Sequence, residues 1–173
     1  VSMIDTEQRQ DNFPLFAADD NRLQQAELVI FCVKAFDVSK AVNGIYQKIS
    51  DAIPLILCHN GMNNTSDIDH LAQQHHPLLT LLTTHGAKKQ GAFQIRHTGN
   101  GDCNIGYSCA DLARRHANTQ LTEAAVTTIT QQLNQAFTKV TWCSDMRQKQ
   151  WLKLLINCVI NPLTSIEDID AYT

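Results

Sequence analysis

Lys153, Asn157 and Asn161 stand at i, i+4 and i+8 in the segment Trp151-Leu-Lys-Leu-Leu-Ile-Asn-Cys-Val-Ile-Asn-Pro-Leu-Thr164. Four residues advance a helix by about 400°, so each step drifts by only about 40° and the three side chains form one stripe. The residues between them are apolar, which predicts that the rest of the circumference is buried. A polar stripe on such a helix needs partners, because an unsatisfied buried amide costs about 1–3 kcal/mol and a lone charge more. Two arrangements meet that need: the amides bond neighbouring protein, or the stripe lines a ligand pocket. The second carries chemistry. Desolvation lowers the pKa of a lysine and eases proton donation near neutrality. Beside a carbonyl that accepts hydride, an ammonium stabilises the developing alkoxide and then protonates it. Carboxamide NH₂ groups donate to the carboxylate and keto oxygens of a 2-oxo acid without adding net charge. Pro162 is expected to end or kink the helix just after the stripe.

The elements around this stripe follow from periodicity. Leu28–Val33 and Pro54–Cys58 are continuous apolar runs of strand length, and Leu78–Leu82 is a third. Strands buried on both faces read this way and point to a parallel sheet. Val38–Ser50 between the first two has a helical period, and Asp67–Gln74 reads as a short helix. Strand–helix alternation implies right-handed crossovers and an open α/β sheet. Residues 1–22 look polar and irregular. Ala92–His97 and Cys103–Tyr107 look like strands around a Thr98-Gly99-Asn100-Gly101 hairpin. Thr122–Phe137 is an amphipathic helix, Val140–Cys143 a short strand, and a long helix runs from about Asp145 to about Asn161, capped by Ser144 or Asp145.

Open parallel sheets bind ligands beyond the carboxyl ends of their strands. A dinucleotide turn of the form G-x-G-x-x-G is absent, and Gly99-x-Gly101 reads as the hairpin just described. Three other strand ends remain. Lys34 closes the first, where it either meets a phosphate or carboxylate or simply opens a solvated loop. His59-Asn60-Gly61-Met62 closes the second, either as a ligand contact or as an ordinary Asn-Gly turn. Thr83-Thr84-His85-Gly86-Ala87 closes the third with small residues that allow close approach to the backbone.

Composition narrows the classes. The chain has 173 residues, 43% hydrophobic and 18% charged, with a net charge of −3. These values exclude a disordered tail and argue against nucleic acid as a partner, since no basic excess exists to neutralise phosphates. No apolar run approaches the roughly 20 residues that a membrane-spanning helix needs. The six cysteines include no C-x-x-C pair. Cys32, Cys58 and Cys158, inside apolar runs, read as buried free thiols of a reducing compartment. The Cys58-His59 and His75-His76 neighbours lack the spacing of a zinc site, so no metal is expected.

Lys153-x-x-x-Asn157-x-x-x-Asn161-Pro-Leu-Thr164, taken with Val33-Lys34-Ala35, His59-Asn60-Gly61-Met62 and Thr83-Thr84-His85, resembles the ketopantoate reductase (2-dehydropantoate 2-reductase) family from about Leu23 to Ile169. The resemblance implies a Rossmann-like doubly wound α/β domain and a helical C-terminal domain with the active site between them. On that pattern residues 1–143 are an NADP-binding domain lacking its first βα unit, and residues 144–173 start the helical domain. It implies NADPH-dependent reduction of 2-dehydropantoate to (R)-pantoate on the way to coenzyme A, in the cytoplasm. Carried over position by position, Lys153 is the general acid, Asn60, Asn157 and Asn161 bind substrate, and Lys34, Asn60 and Ala87 line NADP(H). The partner is thus a small 2-oxo acid, and the pattern leaves room for a homo-oligomer. This sequence departs from the family at the absent glycine-rich turn, at Asp37 where Gln is common, and near Ala171 where an Asn is expected. A reductase of a related 2-oxo acid and a non-catalytic metabolite-binding module are the alternatives, and the piece alone is expected to be inactive.

Overall fold

The computed structural model describes residues 1–14, 16, 19–62, 76–108, 120–137 and 139–167. Asp67–Gln74, read above as a short helix, lies outside the described residues. Two sheets organise the rest. The main sheet has the order β3-β4-β5-β8-β9, formed by β3 (Val29–Phe31), β4 (Leu55–Leu57), β5 (Leu78–Thr83), β8 (Cys103–Tyr107) and β9 (Val140–Trp142). The second has the order β2-β1-β7-β6, from β1 (Ser2–Ile4), β2 (Gln10–Asn12), β6 (Gly86–Gly91) and β7 (Gln94–Gly99).

In the main sheet β3, β4 and β5 are parallel, with Phe31 opposite Leu57 and Leu57 opposite Thr80. β8 runs antiparallel to β5, and β9 parallel to β8, so the sheet is mixed rather than wholly parallel. Its apolar runs are buried because helices cover both faces. On one face, α2 (Val38–Ile45) seats Val42 and Val38 on Phe31, Leu55 and Leu57. On the other, α3 (Glu123–Ala136) seats Ile129 and Leu133 on Ile56, Leu79, Leu81, Cys103 and Ile105. Strand alternation explains the division, since odd and even residues of each strand serve opposite cores. α3 starts where Thr122 Oγ1 accepts the Ala125 N–H, a side-chain cap worth about 1 kcal/mol. A shorter helix, α1 (Asp20–Gln24), is capped in the same way by Asp19.

The second sheet corrects two expectations. Residues 1–22 are not irregular throughout: β1 and β2 pair, and β1 joins β7 in parallel. Three-residue β1 is held by a partner some 90 residues away, which no local pattern reveals. The hairpin also lies elsewhere. β6 pairs with β7 around Ala92-Phe93, and Phe93 takes φ +60, a left-handed turn made without the usual Asn or Gly. Thr98 and Gly99 instead end β7, and Asn100-Gly101-Asp102 carries the chain from one sheet to the other. Gly101 is required there, because a Cβ would run into the Thr84 backbone beyond β5.

The last helix, α4 (Met146–Glu167), starts at Asp145, whose carboxylate accepts the Gln148 N–H at 3.1 Å. It continues through Pro162 rather than ending there. Proline removes one N–H, and the acceptor it strands, the Cys158 carbonyl, lies on an exposed stretch where water can serve it. The apolar part of its circumference is not buried either. Leu152, Leu155, Val159 and Leu163 are 56–61% exposed, and Trp151, Ile156 and Ile160 are exposed as well. The helix turns its other side to the sheet. Met146, Lys153 and Asn157 stand at i, i+7 and i+11, within about 20° of one line, and Met146 is buried against Gly106 of β8. Even-numbered Gly106 faces away from the α3 core served by Cys103 and Ile105, so α4 and α3 lie on opposite sides of β8.

Candidate active site

Lys153 and Asn157 of the α4 stripe face the carboxyl ends of the parallel strands. A cleft of about 450 Å³ opens between them, lined by Lys153 and Asn157 of α4, Asn60 after β4, Thr83 and Thr84 at the end of β5, and Asn104 of β8. Lys153 is half-buried. Its Nζ donates to the Thr83 carbonyl at 2.7 Å. An ammonium has three N–H bonds, so two remain for a ligand. Desolvation lowers the Lys153 pKa below its ordinary value, and the nearby thiols of Cys58 and Cys103 oppose that shift. A half-buried cation with a lowered pKa, anchored at one proton and facing carboxamides, is equipped to bind a polarised carbonyl and to transfer a proton to it.

The neighbouring loop is preset for the same cleft. Gly61 has φ +91, a conformation that favours glycine, and a Cβ built there would meet nothing within 4 Å. Asn60 is exposed just before it, while His59 is buried, with Nδ1 3.2 Å from the Asn60 carbonyl oxygen. The β5 end is held by Thr84, whose N–H donates to the Asp102 carbonyl at 3.0 Å and whose Oγ1 accepts the Asp102 N–H at 2.9 Å. That clamp fixes the chain that supplies the Lys153 acceptor.

Of the residues singled out in the sequence, Lys153, Asn157 and Asn60 come together in this cleft. Asn161 lies one turn beyond Asn157 on α4, and its side chain is outside the described set. Lys34 is exposed just after β3, and Ala87 is exposed on β6 opposite His97; neither lines the cleft. Thr83, Thr84 and His85 of the third strand end join them, but two contributions go beyond the sequence reading. The Thr83 carbonyl is a backbone atom, which residue types cannot flag. Asn104 faces Leu82 across the β5–β8 ladder, a pairing set by register alone.

The cysteines also differ from expectation. Cys32 and Cys158 are exposed, Cys58 is half-buried, and among the described cysteines it is Cys103 that is sealed in the core. Cys32 follows the last residue of its strand, and Cys158 belongs to the outward part of α4, so apolar neighbours in sequence did not mean burial. Among the described residues, no three His, Cys, Asp or Glu side chains are grouped to hold a metal ion, and no helix is long and apolar enough to cross a membrane.

Comparison with known proteins gives the site a context. The chain is 32% identical over 166 residues to the 2-dehydropantoate 2-reductase of Salmonella typhimurium strain LT2, an alignment covering 96% of this chain and 50% of that protein. The chain spans about half the length of the curated relatives it matches. Its fold superposes with TM-score 0.74 on a PanE/ApbA family ketopantoate reductase from Ralstonia eutropha JMP134, at 20% identity, over 97% of this chain and 51% of the other. The same TM-score, at 16% identity and with the same coverage, relates it to D-mandelate dehydrogenase in a ternary structure with NADH and anilino(oxo)acetate. The mixed α/β sheet is thus Rossmann-like, with the helical C-terminal domain only partly present. The family model described as ketopantoate reductase PanE/ApbA matches residues 3–109, well over half of the sequence, and the chain belongs to that family.

Proposed function

We propose that the protein to which this chain belongs reduces ketopantoate to (R)-pantoate with NADPH, as a cytoplasmic step toward coenzyme A, and that Lys153 is its general acid. The observation that carries this reading is the Lys153 ammonium, fixed at 2.7 Å on the Thr83 carbonyl in a cleft shared with Asn60 and Asn157.

The residues present fit the nicotinamide end of a dinucleotide. Three parallel strands end at one side of the cleft, Asn60 offers a carboxamide there, and the open space over Gly61 lets a flat ring reach the backbone. Lys34, exposed at the β3 end, and Ala87 on β6 are assigned to the cofactor's remaining length. The sequence has no G-x-G-x-x-G turn to cradle a diphosphate. When bound, NADPH supplies a hydride to the carbonyl carbon.

The chain's own residues do the rest. Lys153 uses its free N–H bonds to hold the keto oxygen, stabilises the charge that develops on it, and passes a proton from Nζ to that oxygen. Asn157, with Asn161 one turn on, donates to the carboxylate. Asn60 separates the substrate from the cofactor and orients both. The hydrogen bond to Thr83 keeps Nζ in the cleft as its charge changes.

Spectrophotometric assay of the full-length protein with NADPH and ketopantoate tests the reading. Oxidation of NADPH that depends on ketopantoate is expected; a complete, folded protein that oxidises none overturns it. A second reading, reduction of a different 2-oxo acid, is favoured by the fold shared with D-mandelate dehydrogenase, whose complex holds NADH and anilino(oxo)acetate. Turnover of other 2-oxo acids but not ketopantoate, or with NADH alone, would select it.

A further inference from the structure

Cys32 and Cys58 follow the last residues of β3 and β4. The parallel register pairs Phe31 with Leu57, so the next pair along the ladder is Cys32 with Cys58. The Cys58 N–H donates to the Phe31 carbonyl at 2.9 Å, which keeps the strands in register to that point. Alternation puts both side chains on the face that carries Ile30 and Ile56, and each thiol is near enough to shift the pKa of the other. Neighbouring strands lie about 4.8 Å apart, inside the roughly 4.4–6.8 Å Cα separation that a disulfide spans. Cys32 is exposed, so a reagent in solution can reach the pair.

We propose that Cys32 and Cys58 form a redox-active dithiol at the mouth of the sheet, which low-molecular-weight disulfides of the glutathione type close to an intrachain disulfide. Cys32 is the attacking thiol. It is the more exposed of the two, and the neighbouring Cys58 S–H lowers its pKa to about 7. A thiol whose pKa lies near ambient pH attacks disulfides best. Cys58, raised by the adjacent Cys32 and by burial, stays protonated and is the resolving thiol. The Cys32 thiolate attacks one sulfur of the reagent, forming a mixed disulfide and expelling one thiolate, which takes up a proton. Cys58 then loses its proton as its sulfur attacks Cys32 and expels the second thiol. The dithiol is oxidised by two electrons and the reagent disulfide is reduced to two thiols. The reaction is independent of the reductase reading, because neither sulfur has a part in the proposed hydride or proton transfer.

The test is incubation of the reduced full-length protein with excess oxidised glutathione, alkylation of free thiols and tryptic digestion without reductant. Lys34 and Lys48 separate the two cysteines, so residues 23–34 and 49–88 leave as different peptides. The expected product is these two peptides cross-linked, two hydrogens lighter than their sum, with Cys103 still alkylated once the protein is unfolded. In Cys58→Ser the reaction should stop with one glutathione retained on Cys32. Free Cys32 and Cys58 in the wild type after equilibration, a persistent mixed disulfide on wild-type Cys32, or a cross-link from either residue to another cysteine would each overturn the proposal. Since the decisive readout uses wild-type protein, a poorly folded variant cannot obscure it.

Discussion

At the scale of single residues the cleft is organised by one ammonium. Lys153 loses hydration in its half-buried position, and one carbonyl compensates at a short distance. On the proposed mechanism, Lys153→Ala should lower kcat by about 100-fold or more and leave the circular dichroism spectrum unchanged; loss of the fold in that variant would mean a structural role. Asn157→Ala should raise KM for the oxo acid more than KM for NADPH, and the reverse would assign Asn157 to the cofactor. The lowered pKa also has a thermodynamic sign. A lysine with a folded pKa below its unfolded value of 10.5 binds fewer protons when folded. Stability therefore rises with pH between the folded pKa and 10.5. The wild type should gain stability relative to Lys153→Met as pH climbs through that window, measured by urea denaturation at a series of pH values. A difference that stays flat would show that Lys153 is as well solvated folded as unfolded.

At the scale of elements, sequence and structure agree where burial is local and part where pairing is remote. The runs around Ile56 and Leu81 announce their strands because each is buried on both faces, and Thr122 announces α3 because its cap is a four-residue affair. The pairing of β1 with β7 has no such signature, and a hairpin turning on Phe93 lacks turn chemistry. The stripe of Lys153 and Asn157 was legible from spacing alone, but not the direction in which α4 faces. That depends on Gly106, whose missing side chain admits Met146 and the Cys143 carbonyl. Gly106→Ala should therefore cost about 1–3 kcal/mol, as overpacking does, and should lower the urea midpoint. Since backbone is one of the obstacles, side-chain rearrangement cannot relieve it. An unchanged midpoint would mean that the β8–α4 junction is looser than its contacts imply.

At the scale of the whole molecule, α4 presents two unlike faces. The side bearing Lys153 and Asn157 faces the strand ends, while Leu155, Val159 and Leu163 form an outward apolar stripe. At 100° per residue these three fall between 40° and 120° from Trp151, with Leu152, Ile156 and Ile160 of the cleft wall beside them, so the exposed side chains are contiguous rather than scattered. Single exposed apolar residues are normal on protein surfaces, but a contiguous patch of this kind drives association or dye binding. The 173-residue chain by itself should therefore enhance the fluorescence of anilinonaphthalene sulfonate and sediment as more than a monomer at micromolar concentration. Leu155→Glu with Val159→Glu should suppress both effects. Because both side chains already face solvent, the pair should change folding stability by no more than about 0.5 kcal/mol per site. The substitutions leave Lys153 and Asn157 in place, so they separate the outward face from the cleft. Dye binding that persists unchanged in the double variant would locate the exposed apolar surface elsewhere in the molecule.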